Sequence, residues 1–221
     1  MHINPTLLLT LAATATAAPQ FTWPWGGGGS SGGSGSTTNT ANDITNKAPC
    51  KALTVIFARG TNERGNIGSV IGPPLRSALQ ARLGADKVNY QGVPYAASAA
   101  GNANGGGNGG SLMVSLAQQA LQQCPSTKVI LSGYSQGGSV VHKAGTLLTA
   151  STPIAAAVLF GDPANGSPVA NVRNLKQYCN SGDRVCEAPK SFATTAAHAA
   201  YGRNGNAEDA AAYISGVTGV V

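Results

Sequence analysis

Gly133-Tyr134-Ser135-Gln136-Gly137 carries the Gly-x-Ser-x-Gly spacing of a nucleophile elbow, a sharp strand-to-helix turn that exposes a serine hydroxyl. Spacing alone decides little, because Gly28-Gly29-Ser30-Ser31-Gly32 repeats it inside a Gly/Ser tract with no strand before it and no helix after it. Ser135 differs in context: the apolar run Lys128 to Leu131 leads into it, and a helical pattern from about Ser135 to Leu148 begins on it. A helix start points free N–H groups at the site, which suits a developing oxyanion. A serine hydroxyl needs a base, and imidazole, titrating near pH ~6.5 in ordinary surroundings, suits the task. Of the 3 histidines, His2 lies in an apolar leader. His142 lies roughly 10 Å from Ser135 along the same helix. His198 is left as the base. Asp162, Asp183 and Glu187 fall between serine and histidine, the chain order nucleophile, carboxylate, base used by α/β-hydrolases. Asp162 follows a strand, whereas Asp183 sits inside Cys179-Asn-Ser-Gly-Asp183-Arg-Val-Cys186, and the residues alone leave both open. The chemistry such a set performs is acyl transfer through an acyl-enzyme.

The elements that must position these residues alternate along the chain. Strand-like runs at Leu53 to Ala58, Lys87 to Val93, Lys128 to Leu131 and Ile154 to Phe160 are nearly continuous in apolar residues. Helix-spaced stretches run from Gly72 to Leu83, Ser111 to Gln123, Ser135 to Leu148 and Ala207 to Ser215. Apolar strands alternating with helices predict an α/β fold of three layers, a parallel sheet covered on both faces. In such sheets ligands bind beyond the carboxyl ends of the strands, so the loops after Ala58, Leu131 and Phe160 should hold the site.

The composition sets bounds. A chain of 221 residues with 42% hydrophobic and 10% charged residues suits one packed domain. Residues 1–17 read as a secretory signal peptide, with an apolar stretch from Leu7 to Ala13 before an Ala15-x-Ala17 cleavage site. Residues 18–40, including WPWGGGGSSGGSGS, read as a Gly/Ser linker, and residues 41–221 as the folded domain. No later run approaches the roughly 20 apolar residues of a membrane span, so export implies an extracellular, unanchored protein. The net charge of +6 gathers in no basic run, and no nucleic-acid motif is present. Cys50, Cys124, Cys179 and Cys186 lack zinc-knuckle spacing and, in an exported chain, predict two disulfides among three pairings. Neither a cofactor nor a metal is called for, and a monomer is expected.

The segments FARGTNERGNIG with GPPL, then LSGYSQGG, LFGDP, CNSGDRVC and AAHAAYG, from about Lys51 to Gly202, resemble fungal cutinases in order and in content. The resemblance implies a small α/β-hydrolase with a five-stranded parallel sheet and little or no lid. It implies hydrolysis of cutin and other aliphatic polyesters or short- and medium-chain esters. It also implies a triad of Ser135, Asp183 and His198, an oxyanion hole at Thr61 and Gln136, and disulfides Cys50 to Cys124 and Cys179 to Cys186. The stretch CEAPKSFATTAAH is about two residues longer and more polar than the family's usual rim, and Ala199 stands where leucine is common. An acetylxylan esterase shares this architecture and is the alternative enzyme. A noncatalytic surface-binding protein is the alternative from another class.

Overall fold

β1 (Leu53–Ala58) is buried at all six positions. A strand apolar on both faces belongs in the middle of a covered sheet. β1 pairs in parallel with β2 (Val88–Gly92) on one side and with β3 (Lys128–Tyr134) on the other. β4 (Ile154–Phe160) and β5 (Leu175–Tyr178) extend the sheet in parallel, giving the order β2-β1-β3-β4-β5. The computed structural model describes Met1, residues 38–187 and residues 193–221. Residues 2–37, which hold the expected leader after Met1 and most of the expected Gly/Ser linker, and residues 188–192 lie outside the described residues.

The helices are α1 (Gly72–Leu83), α2 (Gly109–Gln123), α3 (Gln136–Leu147), the single turn α4 (Arg184–Glu187) and α5 (Asn206–Thr218). α1 and α5 cover one face of the sheet around Leu75, Leu79, Tyr90, Phe160 and Ile214. α2 and α3 cover the other around Met113, Leu131, Val140 and Leu159. This is the three-layer α/β/α sandwich with five parallel strands. The alternating patterns located four strands; β5 escaped because LKQY carries a lysine and a glutamine and is only half-buried at the sheet edge. An edge strand covered on one side has no need of the continuous apolar run that marks the centre.

Strand order positions the site. From β1 the chain moves outward to β2, then returns past β1 to β3. The crevice beyond the carboxyl ends of β1 and β3 is therefore the switch point where such sheets bind ligands. Among the described residues no helix is long and apolar enough to cross a membrane.

Candidate active site

Ser135 follows β3 directly and caps α3, with φ 53° and ψ −120°. That is a strained conformation for a residue with a side chain, held because the flanking elements leave no alternative. A Cβ on Gly133 would stand 2.2 Å from the Gly137 carbonyl oxygen, and one on Gly137 would stand 2.0 Å from the Ala58 carbonyl oxygen. The two glycines of the motif are thus required by close approach of backbones, not by local flexibility. The Ser135 N–H donates to the Phe160 carbonyl at 2.9 Å, tying the elbow to the end of β4.

His198 and Asp183 meet below this serine. His198 Nδ1 lies 2.9 Å from Asp183 Oδ1 and 2.8 Å from Oδ2, with both side chains buried. The carboxylate also accepts from the Val185 N–H at 3.0 Å and from the Tyr201 hydroxyl at 2.6 Å. The Tyr134 ring lies 4.9 Å from the imidazole, and its hydroxyl donates to the His198 carbonyl. Gly161, at φ +55°, completes the wall: a Cβ there would come within 2.8 Å of His198 Cε1 and 2.9 Å of Asp183 Oδ2. The Cys179–Cys186 disulfide closes the loop that carries Asp183, and Cys50–Cys124 ties the approach to β1 to the end of α2. These are the two pairings the resemblance implied.

Ser135 and His198 line one cleft of about 360 Å³, together with Thr61, Asn102, Pro163 and Val185. Among the described residues no hydrogen bond joins Ser135 Oγ to His198. Such contacts in unliganded hydrolases are often long and tighten when substrate binds. A larger hollow of about 500 Å³ lies between α1 and α5, lined by Pro74, Ala78 and Arg82, and holds no histidine.

Asp162, which the residues alone left open as the carboxylate, pairs with His142 instead, Oδ2 to Nε2 at 2.8 Å. It accepts also from Gln177 Nε2 and from the Ala164 N–H. The described residues therefore hold two His–Asp pairs, and the one whose histidine lines the cleft is His198–Asp183.

Thr61, just past β1, and Gln136, at the first turn of α3, meet through their side chains. Asn102 is a third member that motif reading missed. Thr61 Oγ1 donates to Asn102 Oδ1 at 3.0 Å, and Gln136 Nε2 donates to Thr61 Oγ1 at 3.2 Å and to Asn102 Oδ1 at 2.6 Å. Its place in the glycine-rich GNANGGGNGG gave no signal in the sequence.

The doubly covered parallel sheet, with a serine elbow at its switch point, defines an α/β-hydrolase. A family model of cutinases matches residues 49–217. Cutinase 4 of Emericella nidulans is 46% identical over 183 residues, covering 83% of this chain and 79% of that one. The solved Trichoderma reesei cutinase bound to a C11Y4 phosphonate inhibitor has a TM-score of 0.75 at 39% identity, covering 82% of this chain and 81% of that one. An acetylxylan esterase structure aligns at TM-score 0.63 with 22% identity, covering 77% of this chain and all of that one, a likeness of fold. The chain belongs to the cutinase family and is a carboxylic ester hydrolase.

Proposed function

We propose that this protein is an extracellular, monomeric cutinase that hydrolyses ester bonds of cutin and related aliphatic polyesters, and of short- and medium-chain esters, through an acyl-enzyme on Ser135. The observation that carries it is the strained Ser135 facing one cleft with His198, whose far nitrogen is held by the buried Asp183. His198 Nε2 takes the hydroxyl proton as Ser135 Oγ attacks the ester carbonyl. Asp183 fixes the tautomer and steadies the imidazolium that results. The negative charge on the carbonyl oxygen falls to the backbone N–H of Gln136 at the start of α3, and to Thr61 across the cleft. His198 then protonates the leaving alcohol, and water, activated by the same imidazole, frees the acid and restores the serine.

The relatives' names and the identity with the Emericella protein support the polyester as substrate, whereas the acetylxylan esterase offers likeness of fold without comparable identity. The test compares wild type and Ser135→Ala on p-nitrophenyl butyrate, polymeric cutin and acetylated xylan. Wild type should release acid from the first two, and the variant should lose at least about 10⁴-fold in kcat. Preferential release of acetate from xylan would replace the polyester by the polysaccharide ester. Unchanged activity in the variant would remove Ser135 from the reaction.

A further inference from the structure

Tyr201 is completely buried, three residues beyond His198, at the end of the same short turn. Its ring packs edge-on against Tyr134 and Phe160, with centroids 6.0 Å away in each case. Packing of this kind asks only for a ring, and phenylalanine would serve it. The hydroxyl does something else. It donates to Asp183 Oδ2 at 2.6 Å, on the same oxygen that His198 Nδ1 approaches at 2.8 Å. It also accepts from the Asn180 N–H at 3.1 Å, which occupies the phenol oxygen from the other side and aims its single proton at the carboxylate. Burial first, and then this bond to Asp183, push the phenol far above its ordinary range, so Tyr201 remains a donor at every working pH.

We propose that Tyr201 is a positioning residue for the esterase reaction, its hydroxyl fixing the Asp183 carboxylate and drawing charge from it, and so loosening the hold of that carboxylate on a proton at His198. This rests on the assignment of Ser135, Asp183 and His198 made above. The carboxylate accepts from Tyr201, the Val185 N–H and His198 together. A carboxylate that satisfies two other donors holds a proton on the imidazole less strongly than one that faces the imidazole alone. Among the described residues the other ionisable groups near the pair are Tyr134 from β3, Glu63 from the loop after β1, and the exposed Glu187, whose carboxylate accepts from the Gly182 N–H beside Asp183. Arg184, beside Asp183 in sequence, is exposed. Among these neighbours Tyr201 alone gives a proton to the carboxylate.

The test is Tyr201→Phe in the full chain, with kcat/KM on p-nitrophenyl butyrate measured from pH 5 to 9 beside the melting temperature. Losing a donor returns charge to Asp183, favours the imidazolium, and moves the acid limb upward by about half to one pH unit. At the acid end that is a further loss of about three- to tenfold relative to pH 8.5. KM should change little. A purely structural role would lower activity alike at all pH, so a folded variant with an unmoved acid limb overturns the proposal. If the variant fails to fold, site-specific incorporation of a fluorinated tyrosine at 201 keeps the ring and strengthens the donor. The limb must then move down, and an unmoved limb again overturns the proposal. Phosphonate labelling separates the two levels. Stoichiometric labelling of wild type and Tyr201→Phe, lost in Ser135→Ala, upholds the triad whatever the limb does; failure to label wild type removes the triad, and the proposal with it.

Discussion

Thr61 shows how much one hydroxyl can depend on its neighbours. Its proton is committed to Asn102, while Gln136 donates to its oxygen. An oxyanion is a stronger acceptor than an amide carbonyl, so in the proposed reaction the proton re-aims when charge develops in the cleft. Thr61→Val, which keeps the shape and the backbone N–H, should lower kcat by about 10²-fold with little change in KM. Asn102→Ala leaves the hydroxyl in place without its anchor and should cost about tenfold, measured on the same ester. An effect of Asn102→Ala larger than that of Thr61→Val would mean that Asn102 acts on the reaction by another route. Asp162 makes the complementary point: it is as buried as Asp183, yet its bonds to His142 and Gln177 secure the turn after β4 instead of facing the cleft.

The loop from Cys179 to Cys186 holds Asp183 where no strand or long helix does. Its disulfide spans 7 residues, against 74 for Cys50–Cys124. By chain entropy the short bridge is worth about 2.5 kcal/mol and the long one about 4.5 kcal/mol. In the proposed mechanism that ranking reverses for activity, because Asp183 lies inside the short loop and its carbonyl accepts from the N–H groups of Cys186 and Glu187. The double variant Cys179→Ser, Cys186→Ser should lose less denaturation free energy than Cys50→Ser, Cys124→Ser while losing more kcat. Urea melts and initial rates on the two proteins decide it, and equal losses of activity would show that the short bridge is only a brace. The elbow follows the same logic: Gly133 lets β3 meet α3 and Gly137 lets α3 meet the end of β1, which holds Ser135 in its strained turn between them.

Across the molecule all 6 tyrosines titrate above their ordinary range, burial leading in every case. A group raised on folding contributes stability that is complete below its unfolded value, near pH ~10, and is lost as pH climbs through the folded one. The melting temperature should therefore hold to about pH 9.5 and fall steeply beyond it, with phenolate absorbance near 295 nm from every tyrosine but the partly exposed Tyr213 appearing only as the protein unfolds. Phenolate absorbance rising well before unfolding would mean that the rings are open to solvent. The sequence by itself determined the alternation of strand and helix, the serine at its elbow and the histidine left by elimination, because each is written in local spacing. It left open which aspartate meets that histidine, since both follow plausible turns. It gave no local sign of β5, whose edge position relaxes the apolar pattern, of Asn102, hidden among glycines, or of the Tyr201 hydroxyl beneath the carboxylate. Those depend on which loops converge at the carboxyl edge of the sheet. Convergence is fixed by strand order and by backbones packed too closely for a Cβ, contacts between residues far apart in the chain that only tertiary structure brings together.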